Sequence, residues 1–435
     1  MKTAYLLIAL LLTSVIQAQD ILIEAESFEE KGGWVVDPQF VEQMGSSYLL
    51  AHGLGVPVRN AHTTFRTSKK GFYHVWVRTK NWAPGKWEAP GRFQVQINDH
   101  VFDEILGTKE DRNWQYTGEL RLNKGAHELM LKDLSGFEGR CDAIFLSLKN
   151  TPPPSEKIEL KKWRDTVLQL PEDPDQEMFF DLIVTGGGIA GCATAIAAAE
   201  QGLNVALIHD RPVLGGNASS EIRVHTLGIY GHFERILKML DTEHYPNGDP
   251  KAEEEDAKRM ANIRKYNNIH LFLNWRAYNA FAKKDIIQYV DARHTSTGER
   301  IRFMAPYFAD CTGDGWIGYW AGAEYSYGRE SVNKYGESWE QYGELWSPEK
   351  PDQFVMGSSI LWRSYVGIAA SVFPEVPWAM DVAKDYAKAK GEWQWEFSRN
   401  DKHQIEDAEF IRDHMLKAIY GSFYNEKQKP GNENL

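Results

Sequence analysis

The sequence predicts a multidomain protein in which an antiparallel all-β sandwich precedes an α/β domain built on a parallel sheet. Three patterns carry that reading. Between Ile21 and Asn150 short runs alternate, Tyr73, Val75 and Val77 against His74, Trp76 and Arg78, then Phe93, Val95 and Ile97 against Gln94, Gln96 and Asn98. Period two, with Gly, Pro and Asn between the runs, marks strands with one buried and one wet face, and no helix is expected there. By contrast, Phe179-Phe180-Asp181-Leu182-Ile183-Val184-Thr185 is apolar apart from its Asp, as in a strand covered on both faces. Between the two lies Asn150-Thr151-Pro152-Pro153-Pro154-Ser155, whose prolines fix φ and make an extended spacer.

In chain order, Met1 to Ala18 has one early Lys, an apolar run and a small residue at its end, the layout of a cleavable secretory signal. Cleavage is expected before Gln19, which makes the mature protein secreted or periplasmic. The apolar run is shorter than the roughly 20 residues a membrane span needs, and no later segment reads as a span. Residues 19–150 form the sandwich. Residues 151–178 are a Pro-rich linker with a short amphipathic helix from Ile158 to Leu170. Residues 179–323 form the α/β domain, and residues 324–435 a substrate-domain-like region with aromatic-rich stretches such as Phe354–Trp362 and Trp393–Phe397.

Forty-nine Lys and Arg against 61 Asp and Glu leave the 435-residue chain at net charge -12, which repels phosphate backbones and excludes nucleic acid as a partner. The three cysteines, Cys141, Cys192 and Cys311, lie in separate segments and exclude a self-contained four-cysteine zinc or iron–sulfur site.

The chemistry begins at Gly186-Gly187-Gly188-Ile189-Ala190-Gly191, a GxGxxG between a strand and an Ala-rich helix from Cys192 to Gln201, followed by Gly202 and a second strand at Asn204–Ile208. In that context Gly186 allows the tight turn, Gly188 lets a pyrophosphate approach the backbone and Gly191 permits close helix packing, so a dinucleotide site is expected. The acidic residue that holds the ribose in such sites falls about 20 positions on. Here His209 follows the strand and Asp210 comes next, so ribose binding is assigned to Asp210.

Further on stand Arg211-Pro212-Val213-Leu214-Gly215-Gly216-Asn217-Ala218-Ser219-Ser220 and Tyr307-Phe308-Ala309-Asp310-Cys311-Thr312-Gly313-Asp314-Gly315. With these segments the chain resembles the FAD-dependent oxidoreductases of the glutathione-reductase-like superfamily, whose glycine motif is followed by a Gly-Gly segment under the flavin pyrophosphate and later by an Ala-Thr-Gly-type turn. Cys311-Thr312-Gly313 departs from that turn by one residue. More closely, LGGNASSEIRVH and FADCTGDGWIGYWAGAEY resemble the FAD-dependent oxidoreductases related to the A-type component of heterodisulfide reductase, from about Asp181 onward. The resemblance implies a Rossmann-like FAD domain with an inserted substrate domain, and FAD contacts at Arg211, Gly215, Gly216, Asn217, Thr312, Gly313 and Asp314. The closing strand and helix of such a domain are not recognisable before the polar tail Tyr424–Leu435, so the sequence is either a fragment or carries an incomplete flavin fold.

Ile23-Glu24-Ala25-Glu26, Gly32-Gly33-Trp34 and Gly136 through Ile144 resemble jelly-roll carbohydrate-binding modules that begin with a Glu-Ala-Glu strand. The resemblance implies a structural calcium ion held by Glu24, Glu26 and Asp142, against the plainer reading of an exposed acidic edge. Trp82, Trp87, Trp114 and Tyr116, near Pro-, Gly- and Asn-rich loops, are candidates for stacking on a sugar face, against a plain packing role.

In enzymes that the chain resembles, residues just after the Gly-Gly segment approach the flavin ring. Glu221, Arg223 and His225 are therefore the catalytic candidates, and alternation in an extended segment would put all three on one face. His225 would take a hydroxyl proton as hydride leaves carbon, with His232 as the substitute, and Arg223 would stabilise a reduced flavin's charge. A structural Glu–Arg pair beside a buried His stands as the alternative. Three functions remain open: an exported FAD oxidoreductase of a saccharide or polyol, a non-catalytic carbohydrate-binding protein with a degenerate nucleotide fold, and an NAD-dependent sugar enzyme. No motif identifies the electron acceptor.

Overall fold

The computed structural model describes residues 20–174, 176–227, 231, 234–243, 249–336, 348–391, 394–399 and 401–435. The expected signal, its cleavage site, His232 and Trp393 lie outside them.

The N-terminal region is mostly β, and its three described sheets are antiparallel. One runs in the order Ile21–Glu24, Ala143–Ser147, Gly71–Thr79, Asn113–Leu122. A second pairs Phe137–Cys141, Tyr48–His52 and Val35–Asp37, and the third Ala61–Thr67, Gly125–Asp133, Phe93–Ile97 and His100–Val101. The alternation read from sequence is the inward face: Tyr73, Val75, Val77, Phe93, Val95 and Ile97 have no exposed surface and share one core. Contrary to expectation the region contains helix, a single turn at Val41–Met44 whose Met44 is fully buried. That turn places Gln39, Phe40 and Gln43 on the wall of the cleft described below.

The proline segment is not a free spacer. Pro154 accepts a hydrogen bond from Trp114 Nε1 (3.1 Å), and the helix Lys157–Val167 packs Leu160 and Trp163 against Trp114, Ala143 and Phe145. The same helix overturns the calcium expectation. Glu24 and Asp142 do converge, but around Arg164, which lies 2.5 Å from Asp142 and 3.5 Å from Glu24. Arg78 takes the Asp142 carboxylate as well, at 2.5 Å. Burial, aided by the charges of Glu24 and Asp142, pushes the Glu26 carboxyl far above its usual range. Guanidinium groups therefore already balance these acids, and among the described residues no group of three His, Cys, Asp or Glu is placed to hold a metal ion.

The sugar-platform expectation is corrected too. Trp82 is 3% exposed and meets Trp378 edge-on at 5.0 Å, and Trp114 is 7% exposed and meets Trp163 at 5.6 Å. Trp87 donates to the Ala83 carbonyl (2.8 Å) beneath the ammonium of Lys417, and Tyr116 shares a hydrogen bond with His74 (2.9 Å). Trp82 and Trp114 are used for packing.

Beyond the helix the continuous apolar run divides. Gln176–Phe179 joins a mixed sheet with Arg300–Met304, Ile286–His294 and Trp275–Lys283. Leu182–Thr185 is instead central in a parallel sheet ordered Ile269–Leu273, Val205–His209, Leu182–Thr185, Tyr307–Asp310. Ile269–Leu273 and Trp275–Lys283, almost continuous in sequence, belong to different sheets, and the chain passes between them at Asn274, whose φ of 61° is left-handed. Phe180, Ile183, Ile208, Trp275 and Phe303 fill the space between the sheets.

The C-terminal region docks on the β region. Its helix Ala408–Lys427 presents Leu416, Ile419 and Tyr420, which together with Val376 and Trp378 cover Trp82 and Phe137. No described helix is long and apolar enough to cross a membrane.

Candidate cofactor cleft and active site

The strand Leu182–Thr185 ends in the turn Gly186-Gly187-Gly188, which opens the helix Ile189–Glu200. Gly186 has φ 102°, and a Cβ there would stand 2.0 Å from the Cys311 carbonyl oxygen. A Cβ on Gly191 would stand 1.7 Å from the Gly186 carbonyl, so this glycine is what lets the helix start against the turn. At Gly188 nothing lies within 4 Å of a Cβ position; its missing side chain leaves room for a ligand. The helix start carries no side-chain cap and no acidic residue in its first turn, so the first-turn amides and the positive end of the helix dipole remain available to an anion.

The second glycine segment closes on the first. Gly215 donates its N–H to the Gly187 carbonyl at 2.9 Å, and a Cβ on Gly216 would lie 3.2 Å from Gly188 Cα. Behind it stands Arg259, a residue with no exposed surface. Its Nε donates to Leu214 O (3.0 Å), its Nη2 to Ala218 O (3.1 Å) and to Asp256 Oδ1 (2.6 Å). Asp256 in turn accepts the N–H of Ser220 at 3.1 Å. Both residues come from the helix Ala252–Ile263, whose acidic, lysine-containing sequence reads as a solvated face, so sequence reasoning missed them.

The third wall is the turn after Tyr307–Asp310. Asp310 Oδ1 accepts from the N–H (3.1 Å) and hydroxyl (2.7 Å) of Thr312, while Oδ2 accepts the N–H groups of Ile317 (2.8 Å) and Gly318 (3.0 Å). One carboxylate thus holds both ends of the Thr312-Gly313-Asp314-Gly315 loop. Sequence reasoning missed this residue as well, although an Asp immediately before a Gly-rich turn is a visible signal for such a brace.

These walls enclose a cleft of about 1460 Å³. Gly186, Gly188, Asp210, Arg211, Gly215, Gly216, Asn217, His225, Thr312, Gly313 and Asp314 all line it, and Gly191 supports it from within the helix. Asp210 accepts from Arg276 Nη1 (3.2 Å) with its side chain 29% exposed. His209, at the strand end, turns under the glycine loop: Nδ1 accepts the Gly187 N–H (3.0 Å) and Nε2 pairs with the Val213 carbonyl (3.0 Å). Burial holds its pKa below the usual value, so the ring is neutral and carries its proton on Nε2.

Glu221 and Arg223 do not join His225 on one face. The backbone after Ser219 folds back, with Arg223 N donating to Ser219 O (2.7 Å) and Arg223 at φ 64°. The assumption of an extended segment fails at this turn. Glu221 and Arg223 face a second cavity of about 560 Å³, which shares Gln39, Phe40, Ser358 and Ala408 with the cleft. Burial raises the Glu221 carboxyl pKa, Arg211 at 3.8 Å opposing it.

A family model for FAD dependent oxidoreductases matches residues 181–434. The chain belongs to the FAD dependent oxidoreductase family. Among curated relatives, mitochondrial glycerol-3-phosphate dehydrogenase of Mus musculus is 30% identical over 96 residues, which are 22% of this chain; the match spans 12% of the mouse enzyme's length. Among solved structures, L-proline dehydrogenase from P. horikoshii is similar at 15% identity over 55% of this chain and 34% of that one, with a TM-score of 0.25. A family 35 carbohydrate binding module from Clostridium thermocellum is similar at 16% identity over 30% of this chain and 98% of that one, with a TM-score of 0.24.

The cleft of this FAD dependent oxidoreductase fits its cofactor. The open cradle at Gly188, the uncapped helix start and Gly215-Gly216 would hold the pyrophosphate, Asp210 the ribose, and Asn217 and Thr312–Asp314 the remainder. Cys141 and Cys192 are buried, and burial pushes the Cys192 thiol up to about 12, so neither is a reactive thiol.

Proposed function

We propose that this protein is an exported FAD-dependent oxidoreductase that oxidises an alcohol carbon of a saccharide or related polyol. The observation that carries the reading is the junction of two cavities: a glycine-walled cleft of dinucleotide size opens beside a smaller pocket that bears ionisable side chains. Bound FAD supplies a two-electron acceptor for hydride from carbon. The chain's own part is proton handling and placement. His225, on the cleft wall, takes the hydroxyl proton on a ring nitrogen as the alcohol becomes a carbonyl. Phe40, from the β region, lines both cavities and limits the water between them. The resemblance of the N-terminal region to carbohydrate-binding modules supports a sugar-like substrate, and the layout of Met1–Ala18 supports export.

The test is anaerobic flavin reduction by a panel of saccharides and polyols, comparing wild type with His225→Ala. A rate lower by about two orders of magnitude with FAD content intact supports the assigned base. An unchanged rate moves the base elsewhere, and a protein that retains no FAD sinks the redox reading itself.

A further inference from the structure

The short helix after the Thr312–Gly315 loop reads Trp316-Ile317-Gly318-Tyr319-Trp320, and its residues part in two directions. Ile317, 2% exposed, turns inward onto Ala277, Ala280 and Val290. Trp316, Tyr319 and Trp320, at spacings of three and four, share the other face and line the cleft. Trp316 and Trp320 stack at 5.4 Å with 28° between their planes, and Tyr319 meets Trp316 edge-on at 6.1 Å. The wall is braced as well as aromatic. Trp320 also packs on the Ile317 core, the Trp316 N–H donates to Thr312 Oγ1 (3.0 Å), and Asp310 holds the next two amides. Tyr319 nevertheless stays 55% exposed, with the more exposed Tyr325 at 5.7 Å from it. Fixed rings left open on a cleft wall differ from Trp82 and Trp114 of the β region, which neighbouring rings cover.

Two relationships place this wall along the cleft. Ile317 rests on Ala277, so the helix packs on the strand that carries Arg276, whose Nη1 donates to Asp210 at 3.2 Å. Asp314 joins the same group of side chains. Burial raises its carboxyl pKa, and the charge of Arg276 and a hydrogen bond from the Trp316 side chain oppose the rise. Asp210, Arg276, Asp314 and Trp316 are thus successive neighbours on one stretch of the cleft lining. None of the three rings lines the second cavity, which opens beside Glu221 and Arg223.

We infer that the wall of Trp316, Tyr319 and Trp320 is a purine subsite, on whose open aromatic faces the adenine of the cofactor stacks. This rests on the placement of FAD given above and adds the base to it: with the ribose at Asp210, the ring attached to that ribose falls beside Arg276, Asp314 and Trp316. Every nucleobase has a π-face, and stacking on one aromatic side chain strengthens binding by about tenfold or more. Such a subsite selects a dinucleotide flavin over the mononucleotide, which has no purine to place there. It also gives the protein an affinity for adenine nucleotides that carry no flavin at all.

The experiment uses the full-length protein freed of flavin and measures the affinities of FAD, FMN and ADP by titration calorimetry, with the melting temperature as a check on folding. Wild type should bind FAD about tenfold or more tightly than FMN, and ADP should compete with FAD. Trp316→Leu should weaken FAD and ADP together by about tenfold and leave FMN as it was, while Trp316→Phe, which keeps a ring, should restore most of the loss. Tyr319→Ser changes an exposed side chain, should weaken the same two ligands without moving the melting temperature, and carries the test where Trp316→Leu folds poorly. If FMN weakens along with FAD while ADP holds, the isoalloxazine lies on this wall and the inference is overturned. Affinities unchanged in both variants, or ADP that does not compete, overturn it as well, because the rings then serve packing alone. Each of these results in a protein that takes up FAD leaves the oxidoreductase reading standing; a wild-type protein that takes up none fails that reading instead.

Discussion

Arg140 of the β region and Asp413 of the C-terminal helix form a two-point ion pair: Nη1 donates to Oδ2 at 3.1 Å and Nη2 to Oδ1. Arg140 has no exposed surface, and its Nη1 also donates to Glu409 at 3.0 Å. Lys80 and Arg112 add their charges to the same Glu409. Burial works against ionising Glu409, but Arg140, Lys80 and Arg112 together outweigh it and hold the carboxyl far below its usual range. The helix so anchored carries Ala408 and Arg412 into the pocket wall. The β region is therefore part of the site's frame rather than a separate appendage.

Asp413→Asn keeps the shape and removes the charge, leaving a guanidinium buried with half its counter-charge. Breaking a buried pair on one side costs about 3–5 kcal/mol. Denaturant unfolding should show a loss of that order, whereas Asp165→Asn, from the exposed Lys161–Asp165 pair, should leave stability unmoved. Equal effects at the two positions would mean that the buried pair does not tie the regions together.

The parts that were legible in the sequence are those whose signal is local. Tyr73, Val75 and Val77 each see one environment along a single strand, and GxGxxG carries its own turn, approach and packing requirements in six residues. The split of the apolar run at Phe180 was hidden because residues in both sheets are apolar. Asn274 gave no sign of its left-handed turn, and the arginines were the least legible. Arg164 reads as a surface residue of a short amphipathic helix and Arg259 as one charge among many, but Ser46, 118 residues away, helps to bury the first, and Leu214 and Ala218, 45 and 41 residues away, the second. The Trp82 misreading has the same origin, since its cover comes from residues past 370.

His209 makes the glycine turn sensitive to acid. Its folded pKa lies below the ordinary value of about 6.5, so the unfolded chain takes up a proton more readily and stability rises with pH across that interval. Stability contributed by the neutral ring is complete above about pH 6.5 and is lost as pH falls toward the folded pKa. Protonation also removes the acceptor for the Gly187 N–H. Melting temperature and retained flavin should both fall as pH drops below about 6.5, and His209→Gln, which accepts but does not titrate there, should flatten the slope. An identical slope in the variant would point to another titrating group.

Arg164 acts as the internal cation of the β region. Chelator and added calcium should both leave the melting temperature where it is, because Arg78 and Arg164 already neutralise Asp142. Arg164→Met should destabilise by about 3–5 kcal/mol, since it strips a buried carboxylate of a partner. A melting temperature that falls with chelator and recovers with calcium would restore the cation site.

Gly188→Asp separates the cofactor from the fold. Gly188 has φ -66° and ψ -177°, a conformation open to any residue, and its Cβ position has nothing within 4 Å. An Asp at this helix N-cap satisfies an amide by itself, so folding should be preserved or slightly improved. The carboxylate would then occupy the space and use the donors that a pyrophosphate needs, with like charge against it. The purified variant should be colourless, with an apo melting temperature within a few degrees of the wild-type apoprotein's. Gly186→Ala and Gly191→Ala should instead fail to fold, because their Cβ atoms would stand 2.0 Å from Cys311 O and 1.7 Å from Gly186 O. A Gly188→Asp protein that keeps its visible flavin spectrum would place the pyrophosphate somewhere other than this turn.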